Sequence, residues 1–132
     1  MIDVDWGDAN ETLLIWTFSN DWTAQEFLNA FTLCEEFVAS RSNRSVVHIL
    51  LDTQHTTHLP KDMFKLGRHA IKRCIDIRQK GLIIIIDSST VWVQMYDFLM
   101  RRGSNSLHIH FAKDTDKAYQ IMVEADALLS SN

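Results

Sequence analysis

The sequence predicts a single α/β domain over residues 1–132, with a mainly parallel sheet, an antiparallel hairpin at its start and four helices. Three observations predict it. Short apolar runs alternate with stretches of helical periodicity. Leu82 and the four isoleucines after it are apolar at every position, as in a strand covered on both faces. The first two apolar runs are separated only by a short turn, so no helix lies between them.

The elements follow in order. Ile2–Trp6 and Leu13–Phe18 read as strands joined by a turn at Gly7-Asp8-Ala9-Asn10. Thr23 and Glu26 then have the spacing of a capping box, in which each side chain takes a backbone N–H from the other end of the first turn. Trp22 and Phe27 flank them at the spacing of a hydrophobic staple. Phe27, Phe31, Cys34 and Val38 recur at helical spacing and define the buried stripe of a first helix. Residues 40–45 form a polar turn, residues 46–51 a third strand, and residues 52–58 a polar stretch.

Pro60 suits the first turn of a second helix, where its missing N–H would have no partner. Met63, Gly67, Ala70, Cys74 and Ile77 form that helix's apolar face, and Gly81 is placed to terminate it in a left-handed conformation. Residues 82–86 make the fourth strand. Residues 88–90 cap a third helix that runs to Arg102 and stops at Gly103. In residues 107–111, a fifth strand, apolar residues alternate with His. A last helix begins near Asp114 or Thr115 and carries Ala118, Met122, Ala125 and Leu129 on one face. Strands separated by helices pair in parallel through right-handed crossovers.

Composition bounds the function. With 46% hydrophobic and 23% charged residues the chain is an ordinary globular one, which excludes disorder. The longest apolar run, 82–86, is far too short to span a bilayer. The acidic start Met1-Ile2-Asp3-Val4-Asp5 has no signal-like apolar core, so a cytoplasmic location is expected. A net charge of −4 argues against general nucleic-acid binding. Cys34 and Cys74 both fall on apolar helical stripes and read as reduced core residues rather than a disulfide or metal pair. With four glycines, no phosphate-binding loop and no nucleophile–base pair, the chain gives no expectation of catalytic residues or a cofactor.

Over nearly its whole length this element order resembles the STAS family of sulfate-transporter and anti-sigma-factor-antagonist domains. The resemblance lies in the strand at 46–51 and in Gly81-Leu82-Ile83-Ile84-Ile85-Ile86 followed by a helix with Met95, Phe98 and Leu99. It also lies in the turn Phe111-Ala112-Lys113-Asp114 before a helix carrying Ala118. It implies a βα superhelix and a role in protein–protein switching. The family's phosphorylated Asp-Ser-Ser-Gly motif is replaced by Thr56-Thr57-His58-Leu59-Pro60-Lys61-Asp62, and Asp87-Ser88-Ser89 follows the fourth strand, one unit too late. The serine switch is therefore not carried over.

The second helix has the sharpest charge pattern. Lys61, Lys65, Arg68 and Lys72 fall within a narrow stripe opposite the apolar face. Residues 61–80 hold seven basic and two acidic residues, a balance of +5, which leaves −9 for the rest of the chain. Such a stripe can recruit an acidic partner; it can also be a solvated face balanced by Glu35 and Glu36. His55 and His58, which follow Asp52, have no convincing third and fourth ligands for a zinc site, so no metal is expected. His108 and His110 share a face of the last strand, either as an interface or as the polar side of an edge strand. Asp52, Asp87 and Lys113 follow strands, as in receiver domains, but those carry a further acidic pair after their first strand and a helix where this chain has a hairpin. Trp92 is either core or an interface anchor. The residues thus point to a non-enzymatic regulatory module that binds a protein with an acidic surface through His58, Pro60, Lys61, Lys65, Arg68, Lys72 and Trp92. The alternative is a small-ligand or lipid-binding domain using the same edge.

Overall fold

The computed structural model describes residues 1–41, 46–56, 61, 65, 66, 68, 69, 81–86 and 109–130. Five strands form one sheet in the order β1-β2-β3-β4-β5: β1 (Ile2–Trp6), β2 (Leu13–Phe18), β3 (His48–Asp52), β4 (Ile83–Ile86) and β5 (Ile109–Ala112). β1 and β2 are antiparallel, with Ile2 opposite Phe18 and Trp6 opposite Leu14. The three remaining pairings are parallel. Two helices lie among the described residues, α1 (Ala24–Ser40) and α2 (Thr115–Ser130). The second and third of the four expected helices fall mostly or wholly outside the described residues.

The hairpin turn is more elaborate than a four-residue turn. Gly7 N–H donates to Leu13 O at 2.8 Å, and Glu11 sits at φ 56°. Inside this loop the Asp8 carboxylate accepts from the backbone N–H of Thr12 and of Leu13, each at 3.0 Å, and from the Thr12 hydroxyl. Burial pushes the Asp8 carboxyl up, but these hydrogen bonds outweigh it and hold the group below its ordinary range.

α1 begins as its sequence requires. The Thr23 side chain accepts from Glu26 N–H, and Glu26 reaches back to Thr23 N–H at 3.2 Å. The Trp22 and Phe27 rings stand 5.7 Å apart, in contact as a staple. Phe27, Ala30, Phe31 and Cys34 are buried, whereas Val38 is only partly so. α2 is capped by Asp114, whose carboxylate accepts from Lys117 N–H at 2.9 Å.

Side chains alternate along the strands, so each sheet face builds its own core. On one face Leu14, Trp16, Phe18, Ile49, Leu51, Ile83 and Ile85 meet Phe27, Phe31 and Cys34 of α1, together with Leu66. The Trp16 and Phe31 rings pack edge to face at 5.0 Å. On the other face Leu13, Leu50, Ile84, Ile86 and Ala112 meet Ala118 and Met122 of α2. Right-handed crossovers in a sheet of sequential order all pass over one face. That is why α1 and Leu66 share a side, while α2, after the last strand, takes the other.

Two strand boundaries are corrected. The third strand starts at His48 rather than Val46 and ends at Asp52, and the fifth ends at Ala112 rather than Phe111. Gly81 is not left-handed. It is required because an added Cβ would lie 1.8 Å from the carbonyl oxygen of Val47. The stretch after the third strand is polar in sequence yet not solvated throughout: Thr53 and Thr56 are buried.

Candidate functional site

The parallel strands place their carboxyl ends together, and a turn tied into the core closes that edge. Thr53, just beyond β3, donates to Ile86 O from its N–H at 3.1 Å and from its hydroxyl at 2.7 Å. The pairing of β3 with β4 thereby continues one residue past Asp52. Thr56 N–H donates to Thr53 O at 3.0 Å, and the Trp22 indole N–H donates to the Thr56 hydroxyl at 3.1 Å. The staple residue of α1 is thus also the anchor of the turn after β3. Both threonines spend their hydroxyls on the fold, which is why two polar side chains tolerate burial here.

Asp52 keeps its carboxylate for its own turn, accepting from Gln54 N–H at 3.2 Å and from Gln54 Nε2 at 2.9 Å. Lys113 is exposed beyond β5. Two strand spacings separate β3 from β5, about 10 Å, so Asp52 and Lys113 do not form a contact pair. His55 is exposed on the turn and His110 is exposed on the edge strand β5. Among the described residues no group of three His, Cys, Asp or Glu could hold a metal ion.

The basic segment is seen in part. The backbone is helical at Lys65, Leu66, Arg68 and His69. Leu66 is buried in the same core cluster as Trp16 and Phe27, while Lys61, Lys65 and Arg68 are exposed. Each of these three cations is thus open to solvent. His58, Pro60, Lys72 and Trp92 lie outside the described residues, as do Cys74, Asp87, Ser88, Thr57 and His108.

One polar constellation is not among those the sequence singles out. His48 opens β3 with its side chain buried, and its Nδ1 accepts Leu82 N–H at 3.0 Å. The proton must then sit on Nε2, which donates to the Asp126 carboxylate of α2 at 2.8 Å. One imidazole joins β3, the start of β4 and the last helix. The available signal was a lone polar residue inside the apolar run Val46-Val47-His48-Ile49-Leu50-Leu51.

No protein-family model, curated protein or solved structure matches the chain. Among the described residues no helix is long and apolar enough to cross a membrane.

Proposed function

We propose that the chain is a regulatory protein–protein interaction module of the STAS kind, a βα superhelix working in the cytoplasm without enzymatic chemistry, that docks an acidic partner through its basic segment. The observation that carries this reading is the division of that segment: Leu66 enters the core while Lys61, Lys65 and Arg68 remain exposed. The cations can meet a partner without disturbing the fold. The hairpin followed by sequential parallel strands also favours the STAS-like reading. The hydroxyl of Thr56, in the stretch that replaces the family's phosphorylated motif, is buried and bonded to Trp22, which supports a module that works without that switch.

The experiment uses the whole chain as immobilised bait in a lysate of its source cell, beside a Lys65→Glu/Arg68→Glu bait. An acidic protein retained by the first and lost by the second, at equal folded content, is the expected result. Equal retention by both baits would remove the basic segment from the binding face. Binding of anionic vesicles by the wild type alone, with no protein retained, would replace this reading with the lipid-binding one.

A further inference from the structure

Two exposed carboxylates of β1 and the basic segment lie on opposite sides of the sheet. Asp3 is opposite Thr17, and Thr17 is opposite Asp52, so these three share the face that carries α2; Asp5 shares it by alternation. Asp3, Asp5 and Thr17 are exposed, and Ile15 between them is half-buried. α2 packs against β4 and β5, which leaves the β1–β2 half of this face without a helix among the described residues. Parallel sheets ordinarily have both faces covered, and the crossovers of a sheet in sequential order all pass over the other face. Lys61, Lys65 and Arg68 are exposed on the segment anchored to the opposite face through Leu66. Among the described residues no side-chain hydrogen bond or ion pair joins these three or Asp3 to another residue. The sheet stands between the two sets of charge, so one molecule cannot bring them together.

We propose that the bare β1–β2 half-face receives the basic segment of a second copy of this chain. A helix from the neighbour then supplies the missing layer, and its cations meet Asp3 and Asp5. This rests on the reading of the basic segment as a docking face and names one partner for it. Each molecule carries one acidic and one basic surface, so the contact is heterologous and builds open head-to-tail chains rather than a closed dimer. Charge contacts of this kind are weak and salt-sensitive.

Sedimentation velocity on the full chain, over a concentration series at low salt and at ~0.5 M, tests it, because screening is strong at the higher salt. The mean mass of the wild type should rise with concentration at low salt and return to the monomer at high salt. Asp3→Lys/Asp5→Lys and Lys65→Glu/Arg68→Glu should each stay monomeric. An equimolar mixture of Asp3→Asn/Asp5→Asn and Lys65→Glu/Arg68→Glu should give a 1:1 pair that grows no further, since one keeps the basic segment, the other keeps the acidic face, and the neutral face offers the glutamates no cation. If the lysine pair does not fold by circular dichroism, Asp3→Asn/Asp5→Asn takes its place. A wild type that stays monomeric at every concentration, variants that associate like the wild type, or a mixture that forms no pair would each overturn the proposal. A monomeric wild type whose Lys65→Glu/Arg68→Glu variant still loses an acidic partner would end self-docking and leave the docking face intact.

Discussion

At residue 81 a single methyl group decides whether the segment before β4 can pass β3. An added Cβ would meet the Val47 carbonyl oxygen at 1.8 Å, and the obstacle is backbone rather than a side chain that could turn away. Gly81→Ala should therefore cost about 3 kcal/mol or more, at the upper end of overpacking effects, measured by urea denaturation. A change below about 1 kcal/mol would show that the two segments can separate at no real cost. Glycine was legible in the sequence as a stop signal; its actual reason, close approach to a strand 34 residues earlier, was not, because nothing local encodes that neighbour. Asp8 is a second residue-scale device. Its carboxylate takes two backbone N–H groups and a hydroxyl of the hairpin loop. Asp8→Asn should cost about 1–2 kcal/mol at pH 7, as charge-assisted bonds become neutral ones. Asp8 has a lowered folded pKa, so its stabilisation is present above the unfolded value of about 3.9 and is lost as pH falls through the folded value. The gap between wild type and Asp8→Asn should accordingly narrow on acidification below about pH 4. A gap that stays constant from pH 7 to strong acid would contradict this assignment.

The two helices are held differently. α1 buries Phe27, Phe31, Ala30 and Cys34, and each phenylalanine contributes roughly 2–3 kcal/mol of burial before entropy is counted. Its start was fully legible, because capping box and staple are local patterns and both form as written. Among its described side chains α2 buries only Ala118 and Met122, and the His48–Asp126 hydrogen bond fixes it to the start of β3. His48→Ala should cost about 2–4 kcal/mol, since it opens a cavity and leaves Leu82 N–H without its acceptor. Asp126→Asn should cost less than about 1 kcal/mol, because the carboxylate is largely exposed. Equal losses in denaturant melts of the two variants would mean that the pair, rather than the buried ring, carries the stabilisation. The turn after β3 is polar in sequence, and the burial of its threonines was not legible there. Thr53 and Thr56 satisfy themselves against Ile86 and Trp22, partners that are distant in sequence. Thr56 should stay unmodified when the folded chain is incubated with a kinase of its source cell and weighed intact; stoichiometric phosphate there would require the Trp22–Thr56 contact to open.

For the whole molecule, pairing sense was legible because alternation of apolar runs with helices implies parallel neighbours, whereas the order of the strands within the sheet was not read from the sequence. Leu13–Phe18 and the isoleucines of β4 could belong only to a buried sheet, and the short link between β1 and β2 could make only a hairpin. The candidate site was legible in part. Exposure of Lys61, Lys65 and Arg68 followed from helical spacing, whereas His48 was hidden in an apolar strand and Asp52 turned out to serve its own turn. The physical picture is a sheet with the exposed cations Lys61, Lys65 and Arg68 on one side and the exposed carboxylates Asp3 and Asp5 on the other. The most direct test of that picture is the rate at which the chain associates with the acidic partner proposed for it, measured from low salt to ~0.5 M for wild type and for Lys65→Glu/Arg68→Glu. Exposed substitutions leave stability within about a kcal/mol, so the variant should remain folded. It should associate several-fold more slowly at low salt, with the difference closing as salt rises. Equal rates and equal salt dependence for the two proteins would contradict the account and reduce the basic segment to a solvated face.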